Sequence, residues 1–280
     1  MKLRGCLSIA LILPCLVFAA PASEEDRMEA MQALKWQEGP SLATIADKAV
    51  LKTTADLLFI DEQNSKRFLE LTGNIPEDGN YIIYNRKDGW WAVFQFDPSG
   101  YVKDDEKIDA DALLKNLKEN DAPSNKERQR LGIAEIYTDG WSVPPHYDEV
   151  SKRLEWGVRL RSNNHVSVNY TVRILGRSGV TSATLVSSPD KLASNVESFK
   201  SVLPGFEYKS GEKYSEFKQG DRIAEYGLAA LVAGGAAAVA TKKGLWGVLG
   251  AFLAATWKVL AGAGVAVFAG VRSLFRRKPS

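Results

Sequence analysis

Cysteine and histidine are almost missing from this chain of 280 residues, which has two of each. Both cysteines, Cys6 and Cys15, stand among the first fifteen residues, in a stretch that reads as a leader. A body without cysteine forms no disulfide and offers no thiol nucleophile, so it must rest on an apolar core. With His146 and His165 as the whole imidazole supply, the H-E-x-x-H zinc spacing is excluded. There is no G-x-S-x-G elbow, and Gly176-Arg177-Ser178-Gly179 is too short for a phosphate-cradling loop. No residue pattern asks for a cofactor or a metal. Strong net charge is missing too, at +2 overall, but that figure hides an asymmetry. From Ser23 to Arg222 there are 27 Lys and Arg against 33 Asp and Glu, so the body carries about −6, and the excess of basic over acidic residues lies at the two ends. Nucleic acid demands a basic footprint and is not an expected partner.

The two ends are apolar. Residues 1–22, MKLRGCLSIALILPCLVFAAPA, place Lys2 and Arg4 before an apolar core and finish on Ala20-Pro21-Ala22, the pattern of a cleaved signal peptide. An uncleaved N-terminal anchor is the alternative, and Pro14 fits a lipoprotein reading of Cys15 badly. At the other end, residues 223–280 read as a hydrophobic membrane anchor with a basic tail. Ile223 to Thr241 is long enough to cross a bilayer, at about 1.5 Å per residue. Ala230, Gly234 and Ala238 recur every fourth residue, a stripe that lets a second copy approach and so makes a homo-oligomer a candidate. The second apolar run, Gly244 to Val271, holds Lys258 near its middle, and basic clusters flank it at Lys242-Lys243 and Arg276-Arg277-Lys278. One crossing followed by a re-entrant or surface-lying segment keeps both clusters on the cytoplasmic side. The expectation is a bacterial inner-membrane protein whose residues 23–222 form a periplasmic or otherwise extracytoplasmic domain, with the lipid bilayer as one partner.

Within that body the periodicities are those of an α+β fold, a mostly antiparallel sheet with packed helices. Glu24 to Gln37 has a helical pattern and stops at Gly39-Pro40. Strand-like segments follow at Leu42–Ile45, Ala49–Leu51 and Leu57–Ile60. Asp61 caps a helix through Leu71, with Phe68 and Leu71 inward. Tyr81–Tyr84 and Trp90–Phe96 flank Asp88-Gly89 as a hairpin. Asp109 caps a second helix bearing Leu113, Leu114 and Leu117, and Ser124 with Glu127 suggests a capping box for a separate short turn. A subdomain boundary near 125–132 is compatible with that break. Arg153 to Arg161 alternates strictly, with Leu154, Trp156, Val158 and Leu160 on one face, and Val166 to Ile174 repeats the pattern. Pro189 opens a helix through Leu203, Phe206–Tyr208 reads as an edge strand, and 209–222 reads as a polar tether.

Five segments together resemble the DUF2167 family of uncharacterised bacterial membrane-anchored proteins. They are Asp97-Pro98-Ser99-Gly100-Tyr101-Val102-Lys103-Asp104-Asp105; Gly140-Trp141 with Pro144-Pro145-His146-Tyr147-Asp148; Val168-Asn169-Tyr170; Leu175-Gly176-Arg177; and Ala224 to Gly235. The resemblance implies an exported α+β domain tied to the membrane and carries no established activity. The strand–helix–strand order from Val166 to Tyr208 also looks like small exported domains of the PsbP type, a likeness of fold that transfers no function.

Candidate chemistry is sparse. His146 and Asp148 are the catalytic candidates, a base and its orienting carboxylate in an envelope hydrolase. The plainer reading is a rigid loop, Pro144 to Asp148, whose rings pack on Trp141. Trp141, Tyr147, Asn169 and Arg177 are ligand-binding candidates. Trp90, Trp91, Trp141 and Trp156 suit either a groove for glycans or apolar ligands, or a core. Asp104-Asp105-Glu106 lacks the spacing of a calcium loop and reads as a solvated acidic turn. The leading expectation is a non-catalytic binding module for a protein or cell-envelope component.

Overall fold

The computed structural model describes residues 24–233. The leader, Gly234, Ala238 and the second apolar run lie outside the described residues. Eight strands form one antiparallel sheet: β1 (Gln37–Glu38), β4 (Leu57–Ile60), β5 (Asn80–Asn85), β6 (Trp91–Asp97), β10 (Val180–Ser187), β9 (His165–Leu175), β8 (Arg153–Ser162) and β7 (Tyr137–Asp148), in that spatial order. A second sheet holds β11 (Phe206–Tyr208), β3 (Ala49–Lys52) and β2 (Leu42–Ile45), in the order β11-β3-β2. The helices are α1 (Glu24–Gln32), α2 (Glu62–Leu71), α3 (Ala110–Arg130), α4 (Leu192–Val202) and α5 (Leu228–Val232).

Alternation along each strand divides the large sheet into two apolar faces. On one, Tyr81, Ile83, Ala92, Phe94, Tyr170, Val172, Ala183 and Leu185 meet Ile45 and Leu51 of the small sheet and Phe199 of α4. On the other, Ile60 and Ile82 pack with Phe68 and Leu69 of α2, while Leu154, Trp156 and Val158 lie against Leu113 of α3 and Leu228, Leu231 and Val232 of α5. Burying a side chain of this size contributes about 1.5–3 kcal/mol, which is why both faces demand a cover. The α+β class with its antiparallel sheet is as the periodicities predict.

Several local expectations change. Pro144 to Asp148 is strand, not loop: β7 runs twelve residues and keeps pairing with β8 through register shifts on both sides of Val143. Proline is tolerated there because β7 is the edge of the sheet. The stretch around Ser124 starts no new turn, since α3 continues through Pro123 to Arg130. Its second half is held by tertiary bonds: Asn125 donates to the Ile136 carbonyl (2.8 Å) and accepts from the Ile136 amide (2.9 Å), and Arg128 donates to the Gly73 carbonyl (2.9 Å). Residues 125–130 are therefore helix, and strands on both sides of them belong to one sheet. In α2 it is Leu69, not Leu71, that joins Phe68 in the interior. The N-terminal helix ends at Gln32, and Trp36 packs edge-on against Phe68 with ring centres 5.9 Å apart.

The largest difference concerns 209–233. The stretch to Arg222 is no free tether, and the first residues of the apolar run belong to the domain. Ile223 pairs with Tyr101, the Tyr226 hydroxyl donates to Asp97 (2.7 Å), and Leu228 and Leu231 are fully buried. The helix there has only five residues, and among the described residues no helix is long and apolar enough to cross a membrane.

Candidate functional site

Asp97 to Asp105, the Tyr147 end of β7, Leu175 to Arg177 and residues 224–233 meet at one end of the large sheet, whereas Val168-Asn169-Tyr170 lies in mid-sheet and Trp141 beside α3. Gly100 has φ +97°, and a Cβ on it would stand 2.6 Å from the Arg222 carbonyl oxygen, so the close approach requires glycine. That approach lets the Tyr101 amide donate to the Arg222 carbonyl (2.8 Å) and its own carbonyl accept from Ala224 (2.9 Å). Gly176 plays the same part on the other side, because a Cβ there would lie 2.7 Å from the Tyr208 ring. The Tyr208 hydroxyl is buried, donating to the Ile174 carbonyl (2.8 Å) and accepting from the Thr181 amide (2.9 Å). Next to it, the Arg177 amide donates to the Glu212 carbonyl (2.8 Å).

Asp104 is the hub of this junction. It accepts from Tyr147 (2.7 Å), Tyr214 (3.0 Å) and Lys152 (2.6 Å). Burial alone would raise its pKa, but the bonds from Lys152, Tyr147 and Tyr214 outweigh it and hold the carboxyl below its ordinary range. The bond to Asp104 raises the pKa of Lys152 in turn. Burial first, and hydrogen bonding second, push both phenols up. Lys152 also sits in the left-handed region, φ +55°, with its ammonium 5.5 Å from the Tyr214 ring centre. A non-glycine residue in that region carries strain, which its surroundings must hold in place.

Tyr101 is clasped between Tyr214 and Phe217, with ring centres 4.4 and 4.2 Å away. These three rings with Lys152, Arg153 and Lys213 line an open cavity of about 740 Å³. A second cavity, of about 380 Å³, lies by Arg177, whose guanidinium grips both oxygens of Asp221 at 2.7 Å. The Arg177 bonds hold the Asp221 carboxyl down at about 2. Chemically, the main junction is suited to holding charge. A lysine kept cationic is a poor nucleophile, and phenols kept protonated act as donors.

The sequence candidates scatter. His146 and Asp148 lie on the exposed face of β7, and neither lines a described cavity. Asp148 instead accepts from the Val150 (2.8 Å) and Ser151 (3.2 Å) amides and shapes the β7–β8 turn. Tyr147, between them, points inward to Asp104. Trp141 packs in the cluster under α3 and donates to the Ala110 carbonyl (3.0 Å). Asn169 is half-buried in mid-sheet opposite Val158 and Val186. Arg177 reaches the second cavity. The four tryptophans share no groove: Trp90 lies in the core on one face, Trp156 with Trp141 on the other, and Trp91 over α2. His165 is exposed in the β8–β9 hairpin. Asp104 and Glu106 are engaged, the latter accepting from the Ala229 amide (3.0 Å). Among the described residues no three His, Cys, Asp or Glu gather as a metal site. Sequence reasoning missed Tyr101, Lys152, Arg153, Tyr214, Phe217 and Asp221. The available signal was Gly100 and Gly176, glycines inside motif segments that mark close backbone approach.

The family model described as "Protein of unknown function (DUF2167)" matches residues 37–266. No curated protein matches. Among solved structures, cyanobacterial PsbP (CyanoP) from Synechocystis sp. PCC 6803 is similar at a TM-score of 0.38 and 10% identity, over 61% of this chain and 94% of that one.

Proposed function

We propose that this chain, which belongs to the DUF2167 family of proteins of unknown function, is an exported binding module without catalysis of its own, tethered to the bacterial inner membrane by the apolar run beyond Ala233. The observation that carries the reading is the junction around Asp104. Its ionisable groups satisfy one another, while the stacked rings and cations beside them line an open cavity. Such a surface is suited to recognition: aromatic rings supply contact area and fixed cations supply orientation. One wall of the cavity comes from Tyr214 and Phe217, in the stretch that runs directly into the apolar tail. An occupant of the cavity is therefore held next to the point of attachment. The envelope component bound there is a protein or a cell-envelope ligand, and self-association through Ala230, Gly234 and Ala238 is a separate proposal.

The test is site-directed photo-crosslinking of the full-length protein in its own cell envelope. A crosslinker at Phe217 is expected to capture a discrete species that one at Lys66, on the exposed face of α2, does not. Identical capture from both positions overturns the reading. Alkaline carbonate extraction tests the tether independently, and release of the protein from membranes removes that part.

A further inference from the structure

The cavity beside Asp104 carries more positive charge than its setting accounts for. Its lining holds Lys152, Arg153 and Lys213 against one carboxylate, Glu207. This stands inside a body whose charge is about −6. The two lysines already have partners, Asp104 at 2.6 Å and Glu207 at 2.7 Å. Arg153 differs. Its Nε is buried with no hydrogen-bond partner among the described residues, and its Nη2 makes only a long 3.4 Å bond to the Leu203 carbonyl. A buried donor left unpaired is costly, because the hydrogen bond to water lost on folding is not replaced. Arginine is also the side chain whose planar fork matches an oxyanion.

Resting on the binding reading above, we propose that this cavity is a site for an oxyanion joined to an apolar body: Arg153 takes the anionic group, Lys152 and Lys213 supply field at the rim, and the Tyr214 and Phe217 rings take the apolar part. The chemistry is that of a phosphate monoester or diester, whether a free metabolite or the headgroup of a lipid. The adjoining apolar tail makes the second source a near one. The two lysines keep their carboxylate partners and orient the field, so the new hydrogen bonds come from Arg153.

The experiment titrates the full-length protein, in a neutral detergent, with phenyl phosphate and inorganic phosphate by calorimetry. Phenyl phosphate is expected to bind at least about tenfold more tightly than inorganic phosphate, a gain that burial of one ring readily supplies. Arg153→Gln is expected to lose about tenfold or more. Lys213→Gln, at a half-exposed residue that leaves the fold intact, is expected to lose a smaller factor and to flatten the salt dependence. Lys118→Gln on α3 should bind as the parent does. Absence of heat with phenyl phosphate, or unchanged binding by both Arg153→Gln and Lys213→Gln, overturns the site. Dihexanoyl phosphatidylglycerol separates the sources: displacement of phenyl phosphate assigns the site to a lipid headgroup, and failure to displace assigns it to a free anion. These titrations involve no envelope partner, so they succeed or fail independently of the crosslinking.

Discussion

Phe199 and Asp104 each sit at the centre of a cluster, and the two clusters are built from different forces. Phe199 is fully buried among Trp90, Phe94 and Tyr170, with ring centres 5.7, 6.4 and 6.5 Å away. Its neighbours need only be apolar and of the right volume, because the hydrophobic effect has no direction. Asp104 keeps a quarter of its side chain in water and is fixed by three directional bonds, one of them to a lysine in a strained backbone. The first cluster gives stability and is indifferent to pH. The second gives position and is titratable.

Substitutions at the two centres should respond differently to denaturant and to pH. The largest effect is expected from Phe199→Ala, which should cost about 3–5 kcal/mol in chemical denaturation at every pH; a loss under about 1 kcal/mol would show that the core collapses around the gap. Next, Asp104→Ala strips the acceptor from Lys152 and two phenols and should cost about 1.5–3 kcal/mol at neutral pH. The same variant should lose most of the crosslinking from Phe217, since Tyr214 and Lys152 both lose their anchor.

Acid should separate the two regions more finely. Asp104 and Asp221 both titrate below their ordinary range when folded, because Lys152 with two phenols holds one and Arg177 holds the other. A carboxyl depressed by folding binds its proton more readily when unfolded. Its contribution is thus complete above the unfolded value and is lost as pH falls through the folded one. For Asp221 that window runs from its ordinary value of 3.8 down to about 2. Asp221→Asn should therefore flatten the fall of the denaturation midpoint across this window, while Phe199→Ala leaves its slope untouched. An unchanged slope in Asp221→Asn would show that the Arg177 pair is not held in solution. The smallest effect is expected at His146. Its side chain is exposed on an edge strand, so His146→Ala should alter stability by less than about 0.5 kcal/mol and leave the Phe217 crosslink intact.

Much of the fold was legible because its signals are local. The alternation from Arg153 to Arg161 places Leu154, Trp156 and Val158 on one face whatever they meet, and the structure buries all three. Asp61 caps α2 by accepting from the Asn64 amide at 3.1 Å, three residues on, which is a distance a sequence reader can see. The candidate site was almost illegible. Tyr214 reaches Asp104 across 110 residues, and Arg177 reaches Asp221 across 44. Nothing in a stretch such as Glu212 to Phe217 distinguishes a polar tether from a wall of a cavity until its partner strand is known. His146 and Asp148 show the reverse case: they are near in sequence, and the edge strand presents both to solvent.

Residue order alone determined the antiparallel α+β body, the faces of β8 and β9, the caps of α2 and α3 and the family, since side-chain period and capping act over a few residues and hold in any tertiary setting. Only the tertiary structure decided that 209–233 packs into the domain, that Asp104 gathers Lys152, Tyr147 and Tyr214, and that Arg153 faces a cavity. Those contacts join segments far apart in the chain, and their geometry exists only once both faces of the large sheet have been covered.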